Sequence, residues 1–131
     1  MRPIKFRGKS KQGTWFYGDL VRNFCFEPQG DIIACAIISD NDYVQVIPET
    51  VGQSTGLHDK NGKEDYFDDI LQTYYDDGKT EGDIGVLVWN DDAGTIDLKS
   101  KRGQFPLYVY AYHEVIGDIH ATPELLEQDN E

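Results

Sequence analysis

The pentapeptide Asp59-Lys60-Asn61-Gly62-Lys63 constrains this chain more than any other stretch. Asn-Gly readily takes the positive φ angles of a two-residue type I′ turn, so it predicts two antiparallel strands meeting there. Asp59, Asn61 and Gly62 are the turn-forming residues, and Leu57, Tyr66, Phe67, Ile70 and Leu71 supply an apolar face on either side. The Asp/Asn/Gly content also invites a calcium-loop reading, with Asp59, Asn61 and Lys63 as alternate ligands. That reading fails, because Glu64 stands where such a loop needs glycine and Ile70 where it needs its closing glutamate.

The rest of the chain reads as short strands. Ile4-x-Phe6 and Trp15–Val21 are aromatic and β-branched and flank a polar turn, which predicts an opening hairpin. Asp31–Ser39 is nearly continuous in apolar and small residues and predicts a strand covered on both faces, with a turn at Asp40-Asn41-Asp42 and a further strand over Tyr43–Ile47. Asp69–Tyr75, Ile84–Trp89, Thr95–Lys99 and Val115–Ile119 are further strands, and the acidic Asp76–Gly82 reads as a mobile loop. Phe105–Tyr112, with Pro106 near its start, reads as an edge strand on which Tyr108, Tyr110 and Tyr112 share one face. Thr122-Pro123-Glu124 is a helix start, so a short helix should end the chain.

Ser54–Ile70, STGLHDKNGKEDYFDDI, resembles the central motif of the YopX family of phage and prophage proteins, T-G-L-x-D-K-N-G-K-E-I-Y-E-G-D-I. Ile4-Lys5-Phe6-Arg7-Gly8 with Trp15-x-Tyr17-Gly18, and Glu114-Val115-Ile116-Gly117-Asp118-Ile119 with Pro123-Glu124-Leu125-Leu126, agree with the same family. Asp65 departs from its usual Ile, and Phe67-Asp68 from its usual Glu-Gly. If that glycine serves a positive φ, Asp68 must adopt it, which Asp does better than most residues. The resemblance implies an SH3-like barrel and oligomeric assembly. Strand order and spacing agree with a mainly β fold: an SH3-like, partly open barrel with an added N-terminal β layer and a short C-terminal helix. The expected division is residues 1–50 for the added layer and 51–131 for the barrel, built as one structural unit.

The 131 residues carry a formal net charge of −12, distributed as +5 over residues 1–22 and −17 over the remainder. So acidic a chain is a poor nonspecific ligand for nucleic acid or anionic membrane. Its basic arm, with Arg2, Lys5, Arg7 and Lys9 beside Trp15 and Tyr17, reads as a docking surface, as does the Tyr108, Tyr110, Tyr112 row. A solvated basic edge and a packed aromatic core are the alternatives. Cys25 and Cys35 read as reduced thiols, since no C-x-x-C is present; the N-terminus lacks a signal-peptide core and no run is long enough to span a membrane. The expected location is the cytoplasm, the host's if the protein is phage-encoded.

Little catalytic chemistry is legible. His58, His113 and His120 lack metal spacing, although His113-Glu114 beside a strand is the most site-like of them. Adjacent carboxylates at Asp68-Asp69, Asp76-Asp77 and Asp91-Asp92 point to opposite faces of a strand and do not converge. No nucleophile elbow, phosphate loop or dinucleotide fingerprint is present, so no catalytic residue, metal or cofactor is expected. Three functions remain: a self-associating β module, an acidic decoy occupying a host nucleic-acid-binding protein, and a nucleic-acid binder using the basic arm.

Overall fold

The computed structural model describes the backbone of residues 5–26 and 31–127 and the side chains of residues 5–22 and 35–127. Its strands are β1 (Phe6–Lys9), β2 (Trp15–Phe26), β3 (Asp31–Ser39), β4 (Asp42–Gln45), β5 (Gly52–His58), β6 (Glu64–Tyr66), β7 (Asp69–Tyr74), β8 (Glu81–Asn90), β9 (Thr95–Ser100), β10 (Gly103–Pro106) and β11 (Tyr112–Asp118). Short 3-10 turns cover Pro48–Thr50, Leu107–Val109 and Pro123–Glu127. The chain divides into two units, residues 1–54 and 55–131.

In the first unit the strand order is β4-β3-β2-β1, continued by the start of β5, where Gly52 and Gln53 pair with Arg7 and Phe6. Ala36 and Ile37 are adjacent on β3 and both fully buried, so both faces of the strand are covered there, as its nearly continuous apolar and small residues predict. Ile37, Cys35 and Val46 form the buried cluster, with Phe6, Phe16, Leu20 and Val51 packed around it. Cys35 is a buried free thiol, whereas the side chain of Cys25 lies outside the described residues. Asp40 and Asn41 have φ of 49° and 68°, and Ser39 pairs with Asp42 around them. Here, between β3 and β4, is the two-residue turn with both φ positive. At Gly18 an added Cβ would lie 1.9 Å from the carbonyl oxygen of Ile38, so β2 and β3 approach too closely for any other residue.

The second unit is an antiparallel meander in the order β10-β9-β8-β7-β11, in which the last strand returns to pair with β7. Leu71, Leu87, Leu98 and Leu107 form its core, surrounded by Phe67, Ile96, Tyr110 and Val115. Five successive residues of β7, Asp69 to Thr73, are buried, and the polar ones are partnered. Asp69 Oδ2 accepts the N–H of Tyr66 at 2.8 Å, Gln72 Nε2 donates to the carbonyl of Gly82, and Thr73 Oγ1 donates to that of Asp83. Asp97, also buried, accepts from Asn90 Nδ2, Thr95 Oγ1 and Gln104 Nε2. Buried polar groups with such partners cost little, whereas orphaned ones cost about 1–3 kcal/mol each.

Two expectations need correction. Phe105–Tyr112 is not one strand: β10 ends at Pro106, Leu107–Val109 is a 3-10 turn, and Tyr112 begins β11. Proline cannot donate to a ladder, and the turn behind it buries Leu107, so Tyr108, Tyr110 and Tyr112 share no face. The Asn61-Gly62 turn is not type I′, because only Gly62 takes positive φ, at 84°. Its N–H donates to the carbonyl of Asp59, and that of Asp59 to the carbonyl of Lys63, which makes a three-residue loop closed by a glycine bulge. Within the 76–80 loop Asp77 accepts from the N–H groups of Lys79 and Thr80 and from Thr80 Oγ1. The short terminal helix is present over Pro123–Glu127, of the 3-10 type, started by Leu125 N–H donating to the carbonyl of Thr122.

Candidate functional site

The Asn-Gly loop does more than reverse the chain. Strand β11 is an edge of its sheet, and an open edge presents unpaired N–H and C=O groups. Three successive loop residues cover it. Asp59 Oδ2 accepts the N–H of Val115 at 2.9 Å, Lys60 N–H donates to the carbonyl of His113 at 2.9 Å, and Asn61 Nδ2 donates to Glu114 Oε2 at 3.0 Å. Asp59 Oδ1 meanwhile accepts the N–H groups of Asn61 and Lys63 and so shapes the loop that presents its own Oδ2. Burial alone would raise the Asp59 carboxyl, but the N–H groups of Val115, Lys63 and Asn61 outweigh it and hold the group below its ordinary range. Glu114 Oε1 accepts from Tyr74 OH, and Lys60 Nζ lies 4.1 Å from the Tyr74 ring centroid. Burial first, then Glu114, pushes the Tyr74 hydroxyl upward.

Alternation along β11 sends Tyr112 and Glu114 to one face and His113 and Val115 to the other, where Val115 joins the core. There His113 Nε2 sits 2.7 Å from Oδ2 of Asp65, which is wholly buried; the His113 side chain is 14% exposed. Asp65 Oδ1 is buried with no hydrogen-bond partner. A buried carboxylate on one imidazole nitrogen is the orienting half of a proton-transfer pair. Among the described residues no hydroxyl or thiol hydrogen-bonds to the His113 ring, and no group of three or more His, Cys, Asp and Glu could hold a metal ion. The arrangement positions the His113 ring through the buried Asp65. Elsewhere Asp83 takes a bidentate bond from Arg102 at 2.8 Å and one from Tyr110 OH, and the Arg102 bonds keep its carboxyl low against the opposing effect of burial. The Tyr110 hydroxyl is pushed up to about 12, mainly by burial and then by Asp83.

The residues singled out in the sequence separate into several groups. Arg2 lies outside the described residues. Arg7 is buried, its guanidinium 4.4 Å from the centroid of Trp15, with Lys9 Nζ 5.2 Å from the same ring, so Arg7 stacks within its own hairpin instead of lying open. Lys5 and Trp15 are half-buried and Tyr17 is exposed. Tyr108 is 81% exposed, the most open large hydrophobic side chain of the described residues, whereas Tyr110 is tied to Asp83 and Tyr112 stands on β11. Tyr43, Tyr75, Trp89 and Val109 are also exposed, and Trp89 meets Phe67 edge-on at 6.5 Å. Asp65 was not identified as a site residue from the sequence. Its signal was an acid standing where an apolar residue belongs, and its partner lies 48 positions away.

A family model described as "YopX protein" matches residues 5–127. The fold is similar to that in a crystal structure of protein EF1440 from Enterococcus faecalis, with a TM-score of 0.52 and 22% identity over 96% of this chain and 99% of that one. No curated protein matches the chain. Among the described residues, no helix is long and apolar enough to cross a membrane.

Proposed function

Because this chain belongs to the YopX family, we propose that it is a non-enzymatic accessory protein of a phage or prophage, an SH3-like β module that acts by self-association in the host cytoplasm. The barrel assignment for residues 66–119 is supported by the five-strand meander, the 3-10 turn between β10 and β11, and the return of β11 to β7. The observation that carries the binding role is the exposed aromatic side chains, Tyr17, Tyr43, Tyr75, Trp89, Tyr108 and Tyr112, each about half exposed or more. Aromatic residues left in water in a small β protein are the type enriched at interfaces. The burial of Arg7 moves the docking reading of the N-terminal hairpin onto Lys5, Lys9 and Tyr17. Light scattering at low and high salt tests it. A discrete salt-resistant oligomer, loosened by Tyr108→Ser or by Lys5→Glu with Lys9→Glu, supports the reading; a monomer at all salts defeats it.

A second reading rests on the −17 carried by residues 23–131: an acidic decoy that imitates a phosphate array and occupies a basic host protein. It predicts salt-sensitive capture of nucleic-acid-binding proteins, and low-salt capture that returns none removes it. Direct nucleic-acid binding through the arm is weakened by the packing of Arg7 on Trp15.

A further inference from the structure

The loop that covers β11 contains the chain's sole Asn-Gly dipeptide. We propose that Asn61 is a self-modification site, where cyclisation onto Gly62 converts the side-chain amide to a carboxylate and thereby releases the loop from β11. The Gly62 backbone nitrogen, its proton given to solvent base, attacks Cγ of Asn61. The new N–Cγ bond forms as Cγ–Nδ2 breaks, and the amide leaves as ammonia with a proton from water. Water then opens the imide at either carbonyl, leaving aspartate or isoaspartate at 61. No oxidant or reductant takes part.

Three observations place the chemistry here. Asn61 and Gly62 are both exposed, and no heavy atom lies within 4 Å of the position a Gly62 Cβ would take, so that side of the glycine is open to solvent. Lys60 and Lys63 flank the pair and favour the anionic form of that nitrogen. Opposing attack, the Gly62 N–H donates to the carbonyl of Asp59 at 3.0 Å and Asn61 Nδ2 donates to Glu114 Oε2 at 3.0 Å. Cyclisation therefore proceeds from the opened loop, and its rate measures how often the cover lifts. The product does not close again. A carboxylate at 61 has no hydrogen to donate, and it meets the carboxylate of Glu114 at hydrogen-bonding distance, where like charges repel. Freed of the loop, the N–H of Val115 and the carbonyl of His113 become an open sheet edge.

The test incubates the full chain in mildly alkaline buffer and follows each asparagine by peptide mass. Asn41 and Asn90, each followed by Asp, serve as internal references. Asn61 should convert at least about tenfold faster than either. Glu114→Ala should accelerate it by about fivefold, the equivalent of one lost hydrogen bond. Asn61→Gln, which would close a larger and slower ring, should stay intact. Purified Asn61→Asp should show faster hydrogen exchange at Val115 N–H and faster tryptic cleavage after Lys60 and Lys63, with exchange at the buried Leu71 amide unchanged as the sign that the fold persists. Conversion of Asn61 no faster than that of Asn41 and Asn90, or an Asn61→Asp chain with wild-type protection at Val115, overturns the proposal.

Discussion

Replacing His113 with leucine isolates the energetics of the interior pair. Asp65 is wholly buried and its Oδ1 already lacks a partner, so the substitution removes the last hydrogen bond to its carboxyl group. Removing one partner of a buried ion pair costs about 3–5 kcal/mol. The His113 side chain keeps 14% of its exposure, which gives water a route to the site and favours the lower end, about 3 kcal/mol. For a chain of this length that lowers Tm by roughly 11 °C. The double variant Asp65→Ile with His113→Leu exchanges both polar groups for apolar ones of similar volume, and replacements of that kind are neutral or stabilising. It should return to within about 1 kcal/mol of the parent, for a coupling of at least about 2 kcal/mol. Urea unfolding of the parent, both single variants and the double variant, at matched slopes, measures this directly. If the double variant loses as much as the two single losses added, the pair is not the interaction described, and the reasoning fails.

Asp68 holds φ of 78° without being glycine, and its carboxylate is 3.5 Å from His120 Nε2. Asp68→Gly should stabilise by about 1 kcal/mol through relief of the left-handed strain, read as a rise in the urea midpoint. The carboxyls of Asp59, Asp83 and Asp97 lie below their ordinary value, Asp97 chiefly through the Gln104 hydrogen bond against burial. Depressed carboxyls contribute stability that is present above the unfolded pKa and lost as pH falls through the folded one. The contribution of these three carboxyls should therefore be constant near neutrality and fall away below about pH 4, and Asp97→Asn should lose stability at neutral pH while narrowing the gap to the parent in acid. Gly18→Ala should cost well over 1 kcal/mol, because its Cβ would overlap a backbone oxygen that cannot move aside, and the melting temperature checks it.

The strands were legible where composition and face agree. Asp31–Ser39 is a strand over those residues because they are nearly continuous in apolar and small side chains, and both sides are filled at Ala36 and Ile37. Asp68 was legible because a glycine position in a motif imposes its backbone angle on whatever replaces it. Asn61-Gly62 misled: the dipeptide marks a turn, but the type is decided by what the loop must reach, and Asp59 and Lys60 have to reach β11. The type I′ angles appear instead at Asp40-Asn41, where only two strands need joining. The aromatic row failed for a local reason, since Pro106 ends β10 before Tyr108 is reached. Neither the Asp65–His113 pair nor the Glu114 contacts with Asn61 and Tyr74 carry a periodic signal, because they join residues brought near only by the return of β11.

That return has a kinetic side. The hairpins β7–β8, β8–β9 and β9–β10 each join neighbours in sequence, whereas pairing Tyr112–Asp118 with Asp69–Tyr74 closes a loop that contains all of them. Loop-closure entropy grows with the enclosed length, so the meander can form early while β11 docks late. The contacts from Asp59, Lys60 and Asn61 to β11 span longer separations still, and they have no surface to grip until β11 is seated. The stretch most recognisable in the sequence is thus the one whose long-range contacts are made last, and a refolding chain spends its slowest interval with that loop waiting for its strand.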